Sequence, residues 1–337
     1  MKRLSLLLIV LTASAWSCTN PGSRSSSTGG DTTRTAAPSN TDAGLLLVAN
    51  KLDNTLYFIN AETLELVDST TTGEDPHEAV VTPDGNWAYT ANMNGNSLSV
   101  IDMATLEEVR RIDLAEFGKP HGLAVSGNGE KLYVTTEGSR VAVLEIEVST
   151  DSILRVFETG QQGTHMVALS KDERTAYAPN LGSGNTTVID LEAGEVVKTL
   201  ATGDGTEGID VHPNGGEVWI TARSGSVAVV NSETNEIEAT LPADGLPIRV
   251  KFTPDGKHAL VSCLQGRKVI VFDVADRKAI KEIETGAGPV GVLVRPDGEV
   301  AFIANTEDDS ISVLDLNTLE ITGSIPAGNT PDGMAFR

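Results

Sequence analysis

Three of the five histidines in this chain stand at matching points of a repeated pattern. His77 lies in "EDPHEAVVTPDGNWAYTAN", His121 in "GKPHGLAVSGNGEKLYVTTE" and His165 in "QGTHMVALSKDERTAYAPN", each forty-four residues after the one before. Imidazole is both a metal ligand and a proton acceptor near neutral pH, so three of them at one point of a repeating unit suggest a shared ion or ligand. The same column continues through Glu207, Ile248, Val290 and Asp332, giving five potential ligands followed by two hydrocarbons. If the units form a ring, these side chains face a common axis. His77, His121 and His165, aided by Glu207, are then expected to hold one divalent transition metal, zinc or copper. With an open position, such a set also suits water activation. Because the ligands are neutral imidazoles, affinity should collapse below their ordinary pKa of about 6.5. Asp332, and Arg249 one residue past the column, are expected to bind ligand at the mouth, the guanidinium suiting a carboxylate. The competing account is inheritance: duplication copies a histidine that caps strand ends or bonds backbone carbonyls at the rim.

The elements that position this column follow from the spacing. A proline or threonine precedes it at Pro76, Pro120, Thr164, Thr206, Pro247, Pro289 and Pro331, at intervals of 41 to 44 residues. A short run and a Pro-Asp-Gly-like turn come next, then three more segments alternating apolar and polar with period two, as in "NWAYTAN", "SLSVID" and "EEVRRID". Four short antiparallel strands per unit of this length predict a β-propeller blade. Seven second strands are countable, from "LLLVAN" to "VAFIAN". The array begins on a second strand at Leu45 and stops at Arg337 just after the first strand "PDGMAFR". The reading is all-β: a seven-bladed, four-stranded propeller over residues 44–337, its ring closed when the C-terminal strand completes the N-terminal blade, which removes two open sheet edges.

Units such as "NWAYTANMNGNSLSVIDMATLEEV", "KLYVTTEGSRVAVLE" and "VAFIANTEDDSISVLDLNTLEI" resemble the YVTN-type propeller repeat of secreted bacterial and archaeal proteins, over the whole array. The resemblance implies the fold. It leaves function open among surface-layer proteins, lactonase-like enzymes and the cofactor-bearing propellers of reductases.

Other columns read as structure. Asn50, Asn92, Asn180 and Asn305 end second strands and suit turn bonding, and Asp102, Asp190, Asp273 and Asp315 recur with the turn after the third strand. Cys263 shares the asparagine column and reads as a buried, inert thiol. Trp87, Trp219 and Tyr133 should pack between blades, while His212 and His258 belong to the opposite face. Covalent c-type haem, a Gly-rich phosphate loop and a Gly-x-Ser-x-Gly elbow find no motif here.

Residues 1–17 have the layout of a secretory signal: Lys2 and Arg3, an apolar run, then small residues. Ala13-Ser14-Ala15 fits ordinary cleavage, and Ala15-Trp16-Ser17-Cys18 fits a lipobox with Cys18 lipidated. Residues 18–43 are polar and low in complexity, the composition of a tether. Without the first 17 residues the net charge moves from −22 to −24, which argues against nucleic acid as a partner. The expected protein is a non-catalytic binding propeller, exported to the periplasm or cell surface. It touches membrane only through a lipid anchor and captures a small ligand, a metal or an envelope protein. The alternatives are a metal-dependent, lactonase-like hydrolase and an accessory protein handling a metal or redox cofactor.

Overall fold

A computed structural model describes residues 44–337. They form seven four-stranded antiparallel sheets arranged as successive blades, with no helix among the described residues. The innermost strands are Pro331–Phe336, Pro76–Val81, Pro120–Val125, Ala168–Leu169, Thr206–Val211, Pro247–Phe252 and Pro289–Val294, for blades one to seven in that order. Blade one joins the two ends of the array: Pro331–Phe336 pairs with Leu45–Asn50. The Leu45 amide donates to the Arg337 carbonyl at 3.1 Å, and the Arg337 amide returns the bond to Leu45 at 2.9 Å. The expected closure is what the chain adopts.

Each strand alternates its side chains between the two neighbouring blades, so the second and third strands are buried almost throughout. The result is seven apolar wedges, one between each pair of adjacent blades, and no single core. Between blades five and six, Trp219 meets Phe252 and Phe272 edge-on, with ring centroids 5.4 and 5.8 Å away. Tyr133 packs between blades three and four, and Trp87 lies against the wedge between blades two and three. Every outer strand carries a bulge against its neighbour, for example between Val100 and Ile101, which deepens the twist that blade stacking needs.

The structural columns behave as their residue types require. Asn92 Nδ2 donates to Ser97 and Ser99, and Asn305 Nδ2 to Ser310 and Ser312, all within their own blades. Asp102 and Asp315 accept backbone N–H bonds from the turns that follow them. Cys263 is fully buried, and burial pushes its thiol up to about 12, the state of an unreactive core residue.

Candidate functional site: three tiers in the channel

The residue just before the Pro/Thr column has positive φ in all seven blades: Asp75, Lys119, Gly163, Gly205, Leu246, Gly288 and Thr330. Leu246 at 64° and the β-branched Thr330 at 60° hold this conformation without the relief glycine gives. Just beyond it the pairing with the second strand slips, as between Pro120 and Leu123 or Pro247 and Val250. In blade four pairing is reduced further, to a bridge at Thr164 and the two residues Ala168–Leu169. A left-handed step followed by a bulge re-aims the next side chains, and here it re-aims them on every blade.

Three tiers result. The mouth tier is the column found in the sequence, Asp332, His77, His121, His165, Glu207, Ile248 and Val290. One residue on lies a middle tier: Gly333, Glu78, Gly122, Met166, Gly208, Arg249 and Gly291. Its glycines are a steric necessity, since a Cβ on Gly291 would sit 2.1 Å from the Asp332 carbonyl oxygen and one on Gly208 2.2 Å from that of Ile248. Two residues further is a lower tier of Val80, Ala124, Ala168, Asp210, Lys251, Leu293 and Ala335, discussed below.

At the mouth the structure brings together most of the predicted residues. His121 Nε2 lies 3.1 Å from His77 Nδ1, and the His121 ring stacks on His165 with centroids 3.7 Å apart and planes inclined by 30°. His77 Nδ1 is also 3.2 Å from Asp332 Oδ2, and its Nε2 3.3 Å from Asp75 Oδ1. His165 is engaged at both nitrogens, by Glu137 through Nδ1 and by Glu207 through Nε2 at 3.5 Å. Glu207 also takes Arg223, and Arg249 at 3.4 Å. His121, His165, Glu207 and Asp332 are 1, 7, 3 and 3% exposed. The rings therefore face one another and their carboxylates instead of converging on one point. Among the described residues no three His, Cys, Asp or Glu side chains stand in a metal-holding arrangement.

Arg249 takes a deeper place than expected. Its guanidinium reaches across the channel from blade six to Glu78 of blade two, with side chains 6 and 11% exposed. It is a strut already neutralised by two carboxylates, not an open anion receptor. His212, whose Nε2 meets the Gly256 carbonyl at 2.9 Å, lies away from this cluster, as expected. Cys18 falls outside the described residues.

Electrostatics separate the three imidazoles. Burial works against charge on His77, but hydrogen bonds to Asp332 and Asp75 outweigh it and raise its pKa to about 9. Burial likewise opposes His165, and Glu137 and Glu207 overturn it. His121 has no carboxylate; burial and its cationic neighbours hold it well below the usual range, hence neutral. Burial would raise Glu207, yet His165, Arg223 and Arg249 bring it to about 2. Asp332 is held below the carboxylate range by Lys51, His77 and Arg249 against the cost of burial. With His77 and His165 protonated, five cations (these two, Lys51, Arg223 and Arg249) face five carboxylates (Asp75, Glu78, Glu137, Glu207 and Asp332). The cluster is charge-balanced, and two buried atoms in it lack a hydrogen-bond partner, His121 Nδ1 and Asp332 Oδ1.

Sequence reading missed Lys51, Asp75, Glu78, Glu137 and Arg223. Three of them share one column, the residue just after the second strand, where Lys51, Glu137 and Arg223 alternate with Met93, Leu181 and Leu264. That alternation of charged and apolar residues was the available signal.

The architecture defines a seven-bladed propeller with a polar, charge-balanced channel mouth. A family model described as lactonase, 7-bladed beta-propeller, matches residues 101–331, and the chain belongs to that family. It is 21% identical over 207 residues to Antigen Lp49 of Leptospira interrogans, covering 55% of this chain and 44% of that protein, so it spans less than half of that relative's length. With the uncharacterized protein YncE of Salmonella typhimurium it shares 23% identity over 273 residues, 76% of each chain. Among solved structures, hydrazine synthase of Kuenenia stuttgartiensis superposes with a TM-score of 0.74 at 22% identity, over 80% of this chain and 92% of that one. This likeness is one of fold.

Proposed function

We propose that this chain is a non-catalytic, extracytoplasmic binding protein that captures a small ligand at the channel mouth and is held at the envelope through lipidated Cys18. The observation that carries the reading is the pair of unpartnered buried atoms, His121 Nδ1 and Asp332 Oδ1, inside a cluster whose other charges are matched. A buried polar atom without a partner costs about 1–3 kcal/mol, which a ligand supplying one acceptor and one donor returns. Burial of the cluster limits the occupant to an ion, a molecule of a few heavy atoms or one polar side chain of an envelope partner. The acidic surface, −24 after loss of residues 1–17, disfavours nucleic acid. The test is thermal shift and calorimetry with small polar molecules on the mature protein, alongside His121→Phe and Asp332→Asn. Binding lost in both variants supports the reading; a panel without any response, or binding indifferent to both substitutions, overturns it. Turnover of a lactone panel, abolished in the same variants, would replace it with a family-type hydrolase.

A divalent transition metal is the second reading, motivated by the adjacency of His77 and His121. It requires their 3.1 Å hydrogen bond to open and His77 to lose its proton, so that both lone pairs turn to the ion. Two ligands bound to one tetrahedral ion at 2.0–2.1 Å lie about 3.3 Å apart. His77 and His121 would hold the ion, with His165 and Glu207 joining only if the His165–Glu137 contact opens. Since His77 keeps its proton to about 9, proton competition starts well above the 6.5 of a free imidazole. Elemental analysis after mild purification tests this, and equal metal in the His77/His121/His165→Ala triple variant ends it.

A further inference from the structure

Below the Glu78–Arg249 strut the channel widens into a cavity of about 590 Å³ that opens among the turns of the opposite face. That volume is in the range of small-molecule sites. The complete lower tier lines it. Five of its seven positions are apolar (Val80, Ala124, Ala168, Leu293 and Ala335), and three of those are alanine, which leaves the bore open. The other two are adjacent and opposite in charge: Lys251 Nζ lies 3.3 Å from Asp210 Oδ1.

This pair differs from the strut above it. Glu78 and Arg249 are nearly sealed, whereas Lys251 and Asp210 side chains are 39 and 23% exposed. Asp210 Oδ2 is fixed by the Phe252 amide at 2.8 Å, so the carboxylate is held in place. An ammonium has three N–H donors, and Asp210 takes one of those on Lys251. The wall thus presents a fixed acceptor beside a cation with donors to spare, among the apolar positions of the lower tier, with the Glu78–Arg249 strut on one side and Lys171, Glu173 and His212 also lining the cavity. A net anion or cation would meet the opposing charge at once. A molecule carrying both charges on neighbouring atoms can lay its carboxylate on Lys251 and its ammonium on Asp210, and direct an apolar body at the alanine and valine walls.

We infer that this vestibule is a binding site for a free α-amino acid with an apolar side chain, distinct from the mouth and screened from it by the Glu78–Arg249 strut. The experiment is calorimetry on the full mature chain with L-leucine, N-acetyl-L-leucine, which lacks the ammonium, and isoamylamine, which lacks the carboxylate. Leucine should bind, and each half-charged analogue should bind at least tenfold more weakly. In Asp210→Asn/Lys251→Met, leucine affinity should fall at least tenfold, and Ala168→Phe should remove binding by filling the bore. N-acetyl-leucine binding as tightly as leucine, leucine failing to bind, or affinity unchanged in the double variant overturns the assignment. Should either variant misfold, the analogue series on the unaltered protein still decides.

Discussion

The mouth and the vestibule are built on the same seven blades, three residues apart, and solve opposite problems. At the mouth the bore is filled by side chains that neutralise one another out of water. In the vestibule it is left open by alanine and valine, with one ion pair kept wet. The strand Pro247–Phe252 contributes to both, giving Arg249 to the strut and Lys251 to the cavity wall. What differs is solvation, and solvation decides what an ion pair is worth: breaking a buried pair strands a charge in low dielectric, while an exposed pair contributes little.

That contrast can be broken in order of effect. Deleting residues 331–337 removes the innermost strand of blade one and exposes the edges of Leu45–Asn50 and its neighbours; thermal unfolding should lose its single cooperative transition, and a transition unchanged from the full chain would refute strand-mediated closure. Arg249→Met should cost about 3–5 kcal/mol, because Glu78 is left buried without its cation while Glu207 keeps only His165 and Arg223, and adding Glu78→Gln should recover part of that loss in denaturant titrations. The third handle is pH. His77 has its folded pKa raised from 6.5 to about 9, so its stabilisation is complete below about 6.5 and is lost as pH rises through about 9. Melts between pH 6 and 10 should show a decline of order 3 kcal/mol, flattened in His77→Asn. Smallest is Lys251→Met with Asp210→Asn, expected to change stability by no more than about 1 kcal/mol, since the pair is part-exposed. A cost there equal to that of Arg249→Met would erase the distinction between tiers.

Much of this was legible before any coordinates. Period-two segments between turn residues dictate strands. An array that starts on Leu45 as a second strand and carries a lone first strand at Pro331–Phe336 can complete one blade from those two pieces. The mouth column was legible as well, because its proline or threonine marks a fixed backbone step. What stayed hidden was how the imidazoles meet. Whether His121 and His165 converge or stack depends on the left-handed residues before them, Lys119 and Gly163, and on bulges that no residue preference announces. The strut was hidden for a different reason: Glu78 and Arg249 look unrelated until the ring brings blades two and six face to face, 171 positions apart in sequence. Glu137 reaches His165 from an adjacent blade by the same logic.

The seam in blade one also fixes how the molecule answers to force. Leu45 and Arg337 exchange hydrogen bonds at the same end of two antiparallel strands. A pull applied through the two ends of the propeller therefore acts across the strand pair instead of along it. Load falls on one bond pair at a time, beginning at Leu45 and running towards Asn50, as a zip opens from its tab. A ring held by seven wedges would part along this single line.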